Sequence, residues 1–342
     1  MKNLPWLSFL PLGLVAAVAL WLSRTPALAG TGLSALTLAI GLGMLAGNLL
    51  PKHWLKPLAP GVGLARQHFL RLGVALYGLR LTFGAVMALG VAGVAVPLLM
   101  LAGTLLVGLW LGTKVLGLSG REALVISAGS AVCGAAAAIA VASVVRSDEH
   151  ETAVAVATVV VFGTLGMFLY PALYELALQH WAVNAHLFGI FTGATLHEVA
   201  QVIAAGQMVN PTVADAAVVA KMVRVLALAP LLLLIATFPQ QDNEASADKP
   251  AAGKPSLMKS VPWFALGFIV VMAIHSAGWV PADWKPALMT FDDWLLACAM
   301  LAIGLNTRLG DLLRAGRRPM MLAGMLFVFL ISVGALLCWV VA

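Results

Sequence analysis

The chain has 342 residues, of which 62% are hydrophobic and only 10% charged, and its mean hydropathy is +1.00. That composition excludes a soluble domain, which needs far more polar surface, and describes a polytopic helical membrane protein. The formal net charge of +6 does not indicate nucleic-acid binding, because the bases are scattered through short loops instead of clustering on one soluble face.

In chain order, the first apolar run (about 5–22) follows Lys2 and precedes Ala27-Leu28-Ala29 and Gly30, imitating a signal peptide and its cleavage site. Arg24 stands between the run and that site and argues against cleavage, so a retained first helix is expected. Further runs of hydrocarbon length lie at roughly 32–50, 68–90, 92–112, 122–145, 152–174, 185–206, 214–237, 262–280, 291–312 and 320–341. The expected fold is all-α, with about 11 transmembrane helices. The 17 prolines and 33 glycines suit close helix packing and deliberate helix breaks in such a bundle. The polar segment from Gln240 to Ser256 reads as a flexible cytoplasmic linker. It divides one integral membrane domain into helices 1–8 (1–239) and helices 9–11 (257–342). Cys133, Cys298 and Cys338 lie in apolar segments without CxxC spacing, which favours neither a disulfide framework nor a zinc site.

Counted over this arrangement, twelve loop bases fall on the amino-terminal side and only Arg24, Arg146 and Lys285 on the other. That asymmetry predicts a cytoplasmic amino terminus and a periplasmic carboxyl terminus. Gly78-Leu79, Gly84 and Gly90 recur at the spacing of Gly304-Leu305, Gly310 and Gly316, in spans that would run in opposite directions. Such a pattern suggests an inverted repeat, a common device of secondary transporters, with sites formed by interrupted helices at the midplane.

Charge at depth carries the functional signal. A charge at the bilayer centre costs roughly 2.5–3.5 kcal/mol on insertion scales. Arg80, Lys221 and Arg224 stand against Glu198, the only acid that the span boundaries place at comparable depth. Arg71 lies near a span start and snorkels, and Arg308 pairs locally with Asp311. An excess of deep bases points to an anion pathway. In span five, Ser127, Gly129, Ser130, Cys133 and Gly134 crowd one stretch. This stretch is either a helix break that offers backbone amides and hydroxyls to an anion, or a small-residue stripe for close packing. In span seven, His197, Glu198 and Gln201 share one stretch with Thr195. They approach the HExxH zinc motif but lack its second histidine, so no metal site is expected. That face can instead hold a coupling proton or cation, or pair with a deep base. Asn306-Thr307 after Gly304 marks a second candidate break.

The blocks Ser127–Ala140, Thr192–Gly206, Lys221–Pro230 and Ala302–Leu309 resemble, in order and spacing, the YeiH-type inner membrane protein family, also called the sulfate exporters. The resemblance covers essentially the whole chain. It implies a bacterial inner membrane protein related to the bile acid, arsenite and riboflavin transporter superfamily, with inverted repeats and interrupted, crossed helices at mid-membrane. The expectation is therefore a secondary transporter, an exporter of a small oxyanion such as sulfate, sulfite or a related sulfur-containing anion. Its substrate-binding residues would be Ser127, Gly129, Ser130, Cys133, Gly134, Lys221, Arg224, Arg80 and Asn306, with coupling through His197, Glu198 and Gln201. The alternative is a sodium/proton antiporter that uses Glu198 and His197. No enzymatic activity is expected, since no nucleophile motif surrounds Ser127 or Ser130, and no GxxxxGK[ST] loop is present. The expected partners are the anion, the lipid bilayer and a coupling Na+ or H+, with no other cofactor and no nucleic acid; a homo-oligomer stays open.

Overall fold

A computed structural model describes residues 5–25, 34–180, 183–237, 263–307 and 316–341, and among these residues all regular structure is helical. The expected linker 240–256, the Arg308–Asp311 pair and Gly310 of the suggested repeat lie outside the described residues. The principal helices are α1 (Pro5–Ser23), α2 (Ala35–Leu49), α3 (59–80), α4 (Ala92–Val115), α5 (Gly120–Ala131), α6 (Ala135–Val145) and α7 (Glu149–His180). They continue with α8 (Ala185–Thr195), α9 (Val199–Val209), α10 (Pro211–Thr237), α11 (Trp263–Ser276), α12 (Lys285–Asn306) and α13 (Arg317–Val341). Five of them, α4, α7, α10, α12 and α13, are long and apolar enough to cross a membrane, and shorter apolar helices accompany them. Polar caps mark the helix starts at the ends of the bundle. The Ser119 hydroxyl accepts from Glu122 N–H at 3.0 Å, and Asn184 and Asn210 accept from the first turns of α8 and α10.

The helices sort into two bodies. The first holds α1, α2, α3, α11 and α12. Here α2 and α12 run parallel with their backbones in contact: Gly43 packs on the Leu301 carbonyl, and a Cβ on Gly47 would lie 2.5 Å from the Leu305 carbonyl oxygen. Glycines permit that approach where lipid supplies no hydrophobic drive between helices. α3 crosses α12 in the opposite sense, Gly73 against Leu296 and Arg80 against Asp292. The second body holds α4 to α10 and α13. Among the described residues the two bodies meet sparsely, chiefly through α9 against α2, α3 and α12 and through α10 against α11, with one hydrogen bond between α3 and α10.

Within the second body, two expected spans do not pass through the bundle. Gly129 of α5 faces Ala138 of α6, with 3.4 Å between a Cβ on Gly129 and the Ala138 Cβ, so α6 folds back along α5. The outer ends of this hairpin confirm the reversal, because the Ser119 hydroxyl before α5 and the Ser147 hydroxyl after α6 both donate to the Glu151 carboxylate, at 2.9 and 2.5 Å. The α8–α9 pair does the same from the opposite end. Gly189 and Gly193 of α8 pack in parallel register on Ala216 and Ala217 of α10, whereas Gly206 of α9 packs antiparallel on Ala214. The expected fifth and seventh spans are thus re-entrant hairpins, each arm only 11 or 12 residues long, or roughly 17 Å, half a bilayer. The expectation of eleven through-going helices is corrected accordingly. The breaks at 132–134 and 196–198 exist, but each reverses the chain where a crossed, interrupted helix would continue it.

Candidate functional site

The two hairpin tips meet in the middle of the second body. At the first tip, Val132 leaves helical geometry (φ −116°, ψ −94°) and Gly134 adopts φ +77°, a value that L side chains rarely take. At the second, Leu196 and Glu198 are extended (ψ 154° and 148°) before α9 begins. Two helix C-termini and two helix N-termini therefore face one another far from either end of the bundle.

The C-terminal carbonyls of α5 and α8 lack intrahelical partners and form the negative ends of their helices. Lys221 and Arg224, three residues apart on α10 and both wholly buried, answer them. Lys221 Nζ donates to the carbonyls of Val132 and Leu196, both at 2.6 Å. Arg224 donates through Nε to Ala131 (2.6 Å), through Nη1 to Ala194 (2.5 Å) and Leu196 (3.3 Å), and through Nη2 to Ser130 (2.7 Å). Each base thus clamps both hairpins. Charge-assisted bonds to several carbonyls are what keeps a cation tolerable at this depth.

The N-termini of α6 and α9 look the other way, into a cavity of about 540 Å³ between the two bodies. Its inner end is formed by Cys133, Ala135, Glu198 and Val199, and its mouth by Arg66, Arg71, His150, Phe264, Asn306 and Thr307. Arg66, His150, Phe264, Asn306 and Thr307 lie towards the end of the bundle where α1 starts, and Arg71 lies farther in, midway along α3. Glu198 stands at the innermost point: a Cβ on Gly134 would lie 2.5 Å from its Cγ and 3.1 Å from its Oε1. The Glu198 amide donates to Gln201 Oε1 at 3.1 Å, which closes the first turn of α9. The arrangement offers two positive helix ends, one carboxylate and a basic rim to whatever enters.

Several expected site residues are placed elsewhere. Arg80 lies at the far end of α3, paired with Asp292 (3.2 Å) and Asp293 (2.7 Å) and stacked over Tyr77 at 5.1 Å, so it is not an unmatched base facing a substrate. The premise that Glu198 is the only deep acid fails with it. Asp292 is buried to 1% exposure, and Asp215 accepts a long hydrogen bond from Tyr77 (3.4 Å). Lys221 and Arg224 are spent on carbonyls and do not line the cavity. Ser127 donates to the Ala123 carbonyl at 2.6 Å and packs on Gly108 of α4, Gly129 packs on Val159 of α7, and Ser130 contributes its carbonyl to Arg224. His197 is buried beside the Phe327 ring, neither ring nitrogen has a hydrogen-bond partner, and it does not line the cavity. Cys133, Glu198 and Asn306 do line it, with Gly134 and Gln201 immediately behind. Arg66, Arg71, His150 and Thr307 complete the wall without having been singled out as ligands. Their signal was weak, since each sits near a span end, where snorkelling or interface roles explain a polar residue.

The comparisons agree with the resemblance carried by the four sequence blocks. The family model described as conserved hypothetical protein 698 matches residues 7–323. A membrane protein of Ralstonia nicotianae, "UPF0324 membrane protein RSc1111", is 49% identical over 94% of this chain and 89% of its own length. The "UPF0324 inner membrane protein YeiH" of Salmonella typhimurium is 46% identical over 94% of this chain and 89% of its own length, and its namesake in Escherichia coli K12 is 44% identical over 96% and 91%. No solved structure matches the chain. The chain belongs to this UPF0324 family of membrane proteins, which includes the inner membrane proteins called YeiH.

Proposed function

We infer that the protein is a secondary transporter of a small oxyanion such as sulfate or sulfite, bound at the inner end of the cavity. The observation that carries this reading is the convergence of two helix N-termini, those of α6 and α9, on one hollow whose rim holds Arg66 and Arg71. Helix-end amides and their dipoles favour negative charge, and discontinuous helices present them at transporter sites. The deep bases have a different part from the one expected: by neutralising the C-terminal ends of α5 and α8, they leave the positive ends to dominate the cavity. The loop charges support a cytoplasmic cavity mouth. Because α6 ends at the same face as α5 begins, Arg146 joins that face, and only Arg24 and Lys285 remain among the loop bases of the other. Alternating access follows from a shift of the hairpin body against the body of α1, α2, α3, α11 and α12, which touch sparsely around the site.

The antiporter alternative relies on Glu198 as a cation ligand. Two positive helix ends beside that carboxylate, with His197 turned away from the cavity, disfavour a cation there. Purified protein in liposomes should exchange labelled sulfate or sulfite across the membrane. Proton-coupled sodium flux that ignores the identity of the anion would displace this reading in favour of the antiporter.

A further inference from the structure

Glu198 occupies the place that the proposed function assigns to the anion. Its carboxylate caps α9, and its side chain reaches across to Gly134 at the start of α6. Two sets of helix-end amides therefore already converge on one fixed negative group, which lines the cavity beside Cys133 and Ala135. Behind it the wholly buried Gln201 holds the Glu198 amide through Oε1, and its Nε2 has no hydrogen-bond partner. The titratable and charged groups around Glu198 are Arg66 and Arg71 of α3, Lys221 of α10, the Cys133 thiol, His150 at the start of α7, and the adjoining His197. Lys221 is engaged by two carbonyls and His197 does not reach the cavity. An incoming anion thus competes with one carboxylate for the same helix ends.

We propose that Glu198 is a tethered anion that must take up a proton before an oxyanion can bind between the N-termini of α6 and α9, so that proton and anion cross the membrane together in the same direction. This inference rests on the reading of the cavity as an oxyanion site. The proton comes from water on the side of entry, forms an O–H bond on the Glu198 carboxyl and returns to water on the side of release; no covalent bond to the anion forms or breaks. Binding is reciprocal by linkage: protonation favours the anion, and the anion favours protonation. The coupling ion is then H+ and the mode symport. An inward proton gradient drives the anion inward, the reverse of the export that the family resemblance suggests.

The test uses the full chain in detergent and in liposomes, with sodium sulfate as probe because sulfate stays a dianion throughout the range. Wild-type sulfate affinity should fall with rising pH, approaching about tenfold per pH unit once Glu198 ionises. Sulfate added to weakly buffered wild-type protein should draw up to one proton per anion from solution. In liposomes an inward proton gradient should accumulate labelled sulfate. Glu198→Gln should bind sulfate with no pH dependence and equilibrate it without accumulation, whereas His150→Gln and Glu198→Asp should keep the pH dependence. The inference falls if wild-type protein binds sulfate with no proton uptake at any pH from 6 to 8, or if Glu198→Gln still accumulates sulfate on a proton gradient. If neither sulfate nor sulfite binds to wild type or to Glu198→Gln at any pH, the oxyanion reading itself falls, which is a separate result.

Discussion

Arg224 makes four hydrogen bonds, if the longer contact to Leu196 is counted, to carbonyls of two different hairpins, and none to a carboxylate. Its guanidinium is planar and forked, which matches a ring of carbonyls that converge from two helix ends; an ammonium at the same place reaches fewer of them. Arg224→Lys should therefore lower stability by about 2–4 kcal/mol, since buried carbonyls lose charged donors. The loss is read as a drop of the melting temperature of detergent-purified protein. A transport defect at unchanged melting temperature would instead place Arg224 in direct contact with the substrate. Gly134 poses the second test at this scale. Its φ of +77° and the Glu198 Cγ at 2.5 Å from a Cβ leave no room for a methyl group. Gly134→Ala should cost about 1–3 kcal/mol of strain at the tip and lower sulfate flux at least tenfold by displacing Glu198. Near-normal flux in a stably folded variant would detach Glu198 from the site.

Secondary structure was legible from apolar run lengths, and the break at 132–134 was one of two readings of the glycines and hydroxyls in SAGSAVCG, whereas the break at 196–198 was not read from the sequence, which pointed to Asn306-Thr307 instead. The direction of the chain after each break was not legible. A half-bilayer helix followed by another half-bilayer helix has the same hydropathy whether the second continues or reverses, and turning two spans back on themselves removes two crossings, which leaves both termini on their expected sides. Only contacts between arms, such as Gly129 with Ala138 and Ser119 with Glu151, settle it. The partners of the bases were hidden for a related reason. Asp292 and Asp293 sit near the start of a span and look like interface acids, yet the antiparallel crossing of α3 and α12 brings them to Arg80. Carbonyl partners, as for Lys221, have no signature in a side-chain sequence at all. The hairpins make a prediction that distinguishes the two topologies. With Cys133, Cys298 and Cys338 replaced by alanine, a cysteine in place of the exposed Glu149 should react with a membrane-impermeant thiol reagent only from the cytoplasmic face. One in place of the exposed His186 should react only from the opposite face. Eleven through-going spans require the reverse assignment at both positions.

At the scale of the molecule, the cavity opens at the face where α1 begins, while the opposite side of the contact between the bodies is held closed. There the Tyr77 hydroxyl of α3 donates to Asp215 Oδ1 of α10 at 3.4 Å, across the division between the five-helix body and the hairpin body. On its own side Tyr77 lies beneath the Arg80 guanidinium, which Asp292 and Asp293 fix in turn. The chain therefore carries an inter-body link on one side and a cavity of about 540 Å³ on the other, the asymmetry expected of a carrier in one of two access states. A long hydrogen bond contributes about 0.5–1 kcal/mol, so its removal shifts a two-state equilibrium by roughly two- to fivefold. Tyr77→Phe keeps the ring beneath Arg80 and removes only the donor. It should leave the melting temperature almost unchanged and raise the population of the state open to the opposite face. The measurement is the labelling rate of Cys133, which lines the present cavity: from the cytoplasmic side it should slow in Tyr77→Phe, and Asp215→Asn combined with Tyr77→Phe should add little, because both remove the same link. Faster labelling from the cytoplasmic side, or additive effects of the two substitutions, would show that this contact does not report on movement between the bodies.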